Sequence, residues 1–289
     1  IYFEAELGAF VRGREFSLIR IERPGIRGLL SSINNTDRWV FHLSYDPAKG
    51  ERPEDFTPER LTQILALVIG VEGTAIRVIS VLPWQPTVKV VSTMQAGRIF
   101  LAGDAAHVMT PYGGKGANTG VQDVHNLVWK LAMVLQGKAS RGLLESYSDE
   151  RQPVGLYYAE QSGTRADEWG LLKKPNLGLV FSFLSVMAVN FLRLQRFFPT
   201  LPLKRLGGVF GLPVYRYCSR AVVAEKPGDK LARCNPMQVT KFSAEPGTRL
   251  PHLWVNAKGS EISTLDVVSD GFVLFTGEAS GTWRQAAQM

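Results

Sequence analysis

The sequence predicts a mixed α/β fold of the α+β kind, and three observations carry that expectation. The first hundred residues read as strands around a single helix. Near residue 100 an apolar run, a glycine-rich loop and a long amphipathic helix follow one another, and after residue 227 short strands return. The side-chain periods of strand and helix separate these stretches.

The chain opens in strand register: "IYFEAEL" alternates Ile1, Phe3, Ala5 and Leu7 with Tyr2, Glu4 and Glu6. "RWVFHLSYD" then sets Trp39, Phe41, Leu43 and Tyr45 against Val40, His42 and Ser44, so one face is strongly apolar. By that alternation His42 and Tyr45 fall on opposite faces, at most one points inward, and a packing or surface role is expected for either. Thr57 is an N-cap candidate with Pro58 at the first helical position. Leu61, Ile64, Leu65 and Val68 follow at helical spacing, and Gly70 suits the end. "IRVISVLPW" and "VKVVSTM" return to strand chemistry around Pro83 and Pro86. Together these predict an open sheet with a helix on it.

A different unit begins at Arg98. "RIFLAGD" reads as a continuous apolar strand of the kind buried on both faces, ending at Gly103 and Asp104. Val121, Val124, Leu127, Val128, Leu131, Val134 and Leu135 predict a helix over about 117–136, closed by Gly137. "LLESYSDERQPVG" predicts another helix, stopped at Pro153. Residues 160–225 are mostly helical in pattern, cut by Pro199, Pro202 and Pro213. Past a boundary near Pro227 and Gly228, "LPHLWV" and "DGFVLFTG" read as strands.

Composition bounds the function. With 289 residues and 45% apolar content a substantial core is available, and length alone suggests about two domains. The net charge of +7 is scattered and no nucleic-acid motif accompanies it, so no nucleic-acid partner is expected. The longest apolar run, Leu177 to Leu192, is broken by Ser182, Ser185 and Asn190. It falls short of the roughly 18 to 20 residues of a membrane span and reads as a buried helix, so no stable membrane insertion is expected. Cys218 and Cys234 stand without a His or Cys cluster. Neither a metal site nor a disulfide is expected of them, and a reducing, cytoplasmic setting fits.

The loop "GDAAHVMTPYGGKGANTGVQD" holds the chemistry. A P-loop is excluded because Gly116 follows Lys115, and a dinucleotide fingerprint fails at Thr119. Gly113, Gly114 and Gly116 clear side chains where the chain enters a helix, so free N–H groups of the first turn can approach a flat or anionic group. Asp104, ionised at a strand end, accepts hydrogen bonds and suits a ligand hydroxyl. His107 and His125 read as hydrogen-bonded structural residues. Trp84 either flanks an aromatic ligand or packs in the core, and Tyr147, Glu150 and Arg151 suit a structural ion-pair cluster.

The stretch "GRIFLAGDAAHVMTPYGGKGANTGVQDVHNLVWKLAMVLQG", followed by "LLESYSDERQPV", resembles the flavin-dependent aromatic hydroxylases of the para-hydroxybenzoate hydroxylase type. The closest likeness is to the subgroup acting on phenols and aromatic polyketides. The resemblance implies a substrate-binding sheet over residues 1–97 that roofs the substrate pocket. It implies the C-terminal part of an FAD-binding domain over 98–226 and the start of a thioredoxin-like domain over 227–289. It also implies FAD, reduced by NADPH or NADH, hydroxylating a small aromatic substrate through a flavin hydroperoxide; a homodimer is compatible with it. Asp104 would hold a ribityl hydroxyl, with Gly103 letting the chain pass close. Pro111 would lie beside the isoalloxazine ring. Gly114, Gly116, Ala117, Asn118 and Thr119 would present N–H groups to the pyrimidine edge, in the loop that Gly113 opens. The family's N-terminal Gly-rich fingerprint is not in this sequence. The chain is therefore expected to be either a piece of such an enzyme or a truncated, non-catalytic homologue that binds an aromatic metabolite or a protein partner.

Overall fold

The computed structural model describes residues 1–167, 170–173, 215–223, 245–257, 259–268, 271–275 and 285. It has mixed helix and strand content around an antiparallel sheet, and it divides into two compact units. One comprises 1–90, 103–120 and the described part of 158–197. The other comprises 91–102, 121–157 and the described residues from 215 onward.

In the first unit five strands pair in the order β2-β3-β4-β1-β5, all antiparallel. They are β1 (Tyr2–Glu4), β2 (Leu18–Arg23), β3 (Ile26–Ser32), β4 (Arg38–Leu43) and β5 (Arg77–Ser80). Strands β2 and β3 form a hairpin turning at Pro24 and Gly25, where Gly25 takes φ 75°. The expected alternation holds: Phe3, Ala5, Leu7, Trp39 and Phe41 are all buried. Gly28 is required by packing, because a side chain there would collide with the Phe41 ring across the sheet.

A short helix, α1 (Gly8–Val11), follows the first strand, and the expected sheet-covering helix is α2 (Pro58–Ile69). The hydroxyl of Thr57 accepts the Arg60 N–H at its start, and Gly70 ends it in the left-handed region. Leu65 and Val68 join Phe3, Ile26, Leu30, Trp39 and Phe41 in one apolar core. Each side chain of that size contributes about 1.5 to 3 kcal/mol when buried.

The apolar run before Gly103 departs from expectation. Only Ile99 and Phe100 form a strand (β8), paired antiparallel with β7 (Gln95–Ala96), and Ile99 is 68% exposed. A short apolar run does not reveal how many neighbours it has. Two further short strands, β6 (Lys89–Val90) and β9 (His107–Val108), pair across the loop that follows.

The helix α3 (Gly116–Leu135) forms as expected, and Gly137 follows it at φ 70°. Helix α4 (Gly142–Gly163) runs through Pro153 instead of stopping there. Buried Tyr147 and Arg151 before the proline, and Val154, Tyr158 and Ala159 after it, hold both halves in the helix. That burial outweighs the roughly 3 kcal/mol that an interior proline costs.

Toward the C-terminus, β10 (Trp254–Ala257) and β11 (Ser260–Ser263) form a hairpin that leads into α5 (Thr264–Val267). Residues 271–275, expected as a strand, pair in no ladder. The expected helices of 174–214, the boundary near 227 and the apolar run of 177–192 lie outside the described residues. Cys218 is disulfide-bonded, which corrects the expectation of no disulfide. Spacing along the chain does not report distance in space.

Candidate functional site

Residues 103–120, which hold every candidate group of the glycine-rich loop, lie in the first unit. Gly103, at φ 57°, begins a 3-10 turn, Gly103–Ala105, that presents Asp104 to solvent. Its carboxylate has no partner among the described residues. Gly120 in the second turn of α3 approaches so closely that a Cβ there would lie 3.1 Å from the Gly103 Cα. Sequence reading missed Gly120, although its place one turn beyond Gly116 was a signal of close helix–loop packing.

Thr110 anchors the middle of the loop to the end of α4. Its hydroxyl donates to the Ser162 carbonyl at 2.8 Å, and its N–H donates to the Ser162 hydroxyl at 3.1 Å. Pro111 is exposed beside buried Tyr112. Gly113 and Gly114 take φ 95° and 61°, backbone that other residues rarely adopt.

The entry to α3 sorts the candidate N–H groups. The Gly114 N–H donates to the Pro111 carbonyl, and the Thr119 N–H donates to Lys115 at 2.8 Å. Asn118 turns its side-chain amide back onto the Gly114 carbonyl at 2.7 Å. The backbone N–H groups of Gly116, Ala117 and Asn118 have no acceptor among the described residues, as the first turn of a helix dictates. Gly114 and Thr119 therefore shape the loop, and the three amides between them stay open.

Two cations flank that opening. The Arg165 guanidinium packs against Gly113, where a Cβ would come within 2.5 Å of its Nη1. Lys115 sits half-buried with its Nζ 5.3 Å from the centre of the Tyr158 ring. Burial, and then the charge of Arg165, hold the Lys115 ammonium below its ordinary pKa. Neither cation has a carboxylate partner among the described residues. Like charges this close, at the positive end of a helix, favour an anionic ligand.

A cavity of about 880 Å³ opens at the end of the five-stranded sheet, lined by His42, Tyr45, Phe56, Leu82, Trp84 and Leu171 among others. Two edge-to-face aromatic pairs form part of its wall, His42 on Trp84 at 5.9 Å and Tyr45 on Phe56 at 5.8 Å. Both His42 and Tyr45 line it, against the expectation that at most one would. Strand β4 ends at Leu43, so alternation no longer governs Tyr45.

The cavity and the loop share a wall. Leu29 stands opposite His42 in the β3–β4 ladder, on the same face, and packs with Tyr112 and Leu171. The Tyr112 hydroxyl donates to the Gly170 carbonyl, and Gly170 and Leu171 both line the cavity. Arg20 of β2 holds this segment through an ion pair with Asp167 at 2.8 Å and a bond to the Leu172 carbonyl.

The other candidates stand apart. His107 is fully buried, as a structural histidine should be, whereas His125 is exposed on α3, against the expectation of a structural role. In the second unit Tyr147, Glu150 and Arg151 form the expected structural cluster. Arg151 pairs with Asp123 at 2.8 Å, and Lys130 with Glu150 at 2.7 Å. Burial opposes the charge of Arg151, but Tyr217, Tyr215 and Asp123 outweigh it and raise its pKa. Among the described residues no group of His, Cys, Asp and Glu could hold a metal, and no helix is long and apolar enough to cross a membrane.

Comparison with known proteins identifies relatives of this chain. A family model described as FAD binding domain matches residues 1–162. Tetracenomycin A2 monooxygenase-dioxygenase of Streptomyces glaucescens is 33% identical over 99% of this chain and 47% of its own length. Aklavinone 12-hydroxylase RdmE of Streptomyces purpurascens is 32% identical over the whole chain and 49% of its own length. Among solved structures, aklavinone-11 hydroxylase in ternary complex with FAD and aklavinone superposes with a TM-score of 0.73 at 28% identity, over 99% of this chain and 48% of that one. The chain thus spans about half the length of these relatives.

Proposed function

Because this chain belongs to the FAD binding domain family, we propose that it is the flavin- and substrate-contacting part of an FAD- and NAD(P)H-dependent monooxygenase that hydroxylates a phenolic, polyketide-like substrate. The observation that carries the reading is the shared wall between the open loop and the aromatic cavity, through Leu29, Tyr112 and Leu171. Relatives named for tetracenomycin and aklavinone support the substrate class. So does a cavity volume at the upper end of the range for drug-sized ligands, roughly 300 to 1,000 Å³. A single-ring phenol would leave much of it unfilled.

The residues fit the cofactor. The Gly116, Ala117 and Asn118 amides would bind the pyrimidine edge of the flavin, which becomes anionic on reduction, with Lys115 and Arg165 nearby as counter-charge. Gly113, Gly114 and Thr119 would keep that edge accessible by fixing the loop. Asp104 would accept a hydrogen bond from a ribityl hydroxyl where Gly103 lets the chain pass close, and Pro111 would lie beside the ring system. When bound, FAD supplies the activation of dioxygen; the protein orients the ring, excludes water and places the phenol. On this reading residues 1–97 supply the substrate sheet, 98–226 the flavin side, and 227–289 the start of a further, thioredoxin-like domain.

Asp104→Ala tests the reading when introduced into the full-length reading frame. The purified variant should lose visible flavin absorbance while its far-UV circular dichroism is unchanged. Full flavin occupancy in that variant would remove the assignment of Asp104, and absence of flavin from the unsubstituted protein would remove the reading itself.

A further inference from the structure

The His42 imidazole has no hydrogen-bond partner among the described residues, yet it is held in place. Its backbone sits in β4 opposite Leu29, and its ring meets Trp84 edge-to-face at an interplanar angle of 88°. Packing fixes the imidazole while a nitrogen stays available to the cavity. The cavity's other titratable side chains are the Tyr45 hydroxyl and the exposed Glu54 carboxylate.

The geometry points to His42 as the group that receives the phenolic hydroxyl of a fused-ring substrate and takes up its proton. This rests on the hydroxylase reading above and deepens it. Three features support it. The walls bearing Trp84, Tyr45 and Phe56 suit a flat aromatic ligand. Burial holds the imidazole below its ordinary pKa, so it is neutral and able to accept a hydrogen bond at neutral pH. The ladder from His42 through Leu29 to Tyr112 puts this acceptor on the wall next to the loop.

The proposed step balances without an added reagent. The phenolic O–H bond breaks, an N–H bond forms on the imidazole, and the electron pair stays on oxygen as phenolate. The phenolate is the more electron-rich ring for electrophilic hydroxylation. When the hydroxylated ring regains aromaticity, the carbon that received the oxygen loses its proton to solvent, the phenolic oxygen takes its proton back from the imidazolium, and His42 returns to its neutral form.

Alizarin, a fused-ring phenol whose visible spectrum reports its ionisation, serves as the probe with the full-length flavoprotein. The unsubstituted protein should bind it as phenolate at a pH where free alizarin is largely neutral. His42→Phe should bind it about tenfold more weakly or worse, as the neutral phenol. His42→Gln should recover most of the affinity but not the phenolate spectrum, since an amide accepts a hydrogen bond without taking a proton. Tyr45→Phe should leave the phenolate spectrum in place. An unchanged phenolate spectrum in His42→Phe, or its loss in Tyr45→Phe alone, overturns the role of His42. Failure of the flavin-loaded protein to bind alizarin overturns it as well. Flavin content measured on the same samples keeps these outcomes apart from failure of the hydroxylase reading, which would show as a protein without flavin.

Discussion

The sheet-and-α2 layer and the α3–α4 pair are both well buried, but they are filled with opposite chemistry. Beneath the sheet lie Phe3, Trp39, Phe41, Leu65 and Val68, with no charge among them. Between α3 and α4 in the second unit lie Asp123, Asn126, Lys130, Glu150 and Arg151, all nearly inaccessible to water. On α3 the usual helix is inverted, with Val121 69% and Leu135 84% exposed while Asp123 and Lys130 are 0% exposed. The apolar layer draws stability from area removed from water, and it tolerates loss in proportion to that area. The charged layer depends on completeness. Each carboxylate is engaged: Glu150 receives Lys130, Asn126 and Ser219, and Asp123 receives Arg151. Removing one member strands its partner in a region that cannot solvate it.

The largest effect should therefore come from breaking that network. Asp123→Ala removes the 2.8 Å ion pair of the buried Arg151 guanidinium and should cost about 3 to 5 kcal/mol in urea unfolding. Replacing both partners, Asp123→Leu with Arg151→Met, should recover much of the loss. If Asp123→Ala unfolds at the same urea concentration as the parent, the contrast between the two regions collapses. Next comes Leu65→Ala, which deletes fully buried apolar volume against Trp39 and Phe41 and should cost about 2 to 5 kcal/mol. Here a second substitution cannot rescue by charge, so a Leu65→Met variant close to the parent would sharpen the comparison. Smallest is Thr57→Ala at the start of α2, about 0.5 to 2 kcal/mol from the lost cap. Thermal unfolding of that variant should stay cooperative with a lowered midpoint; a loss as large as that of Leu65→Ala would mean that the helix end, not its apolar face, holds the layer.

The same contrast explains what was legible in advance. Helix α2 was readable to its caps, because Thr57, Pro58 and Gly70 act within their own turn. Helix α3 was readable as a helix but not in its orientation. The period locates an apolar stripe without saying whether anything covers it. Pro153 was misread as a stop because its cost is local, whereas the burial of Tyr147, Val154 and Tyr158 that offsets it comes from elsewhere in the chain. At the candidate site the glycine-opened backbone and the free N–H groups entering α3 were legible from spacing. Arg165, Tyr112, Gly120 and the cavity role of His42 were not. Arg165 lies some fifty residues from Gly113, and only packing brings them together.

The sequence by itself determined the backbone permissions of this protein. It set where chain reversal is allowed, where α2 starts and stops, which faces of β1 and β4 are apolar, and that the entry to α3 carries open N–H groups. These depend on neighbours within a few residues, so the chain order contains them. The tertiary structure alone decided which charges are buried together, which apolar stripe stays open, and that His42, Trp84 and Leu171 line one cavity against the loop that bears Tyr112. Those are contacts between distant segments, and their energies depend on shape complementarity that no local pattern encodes.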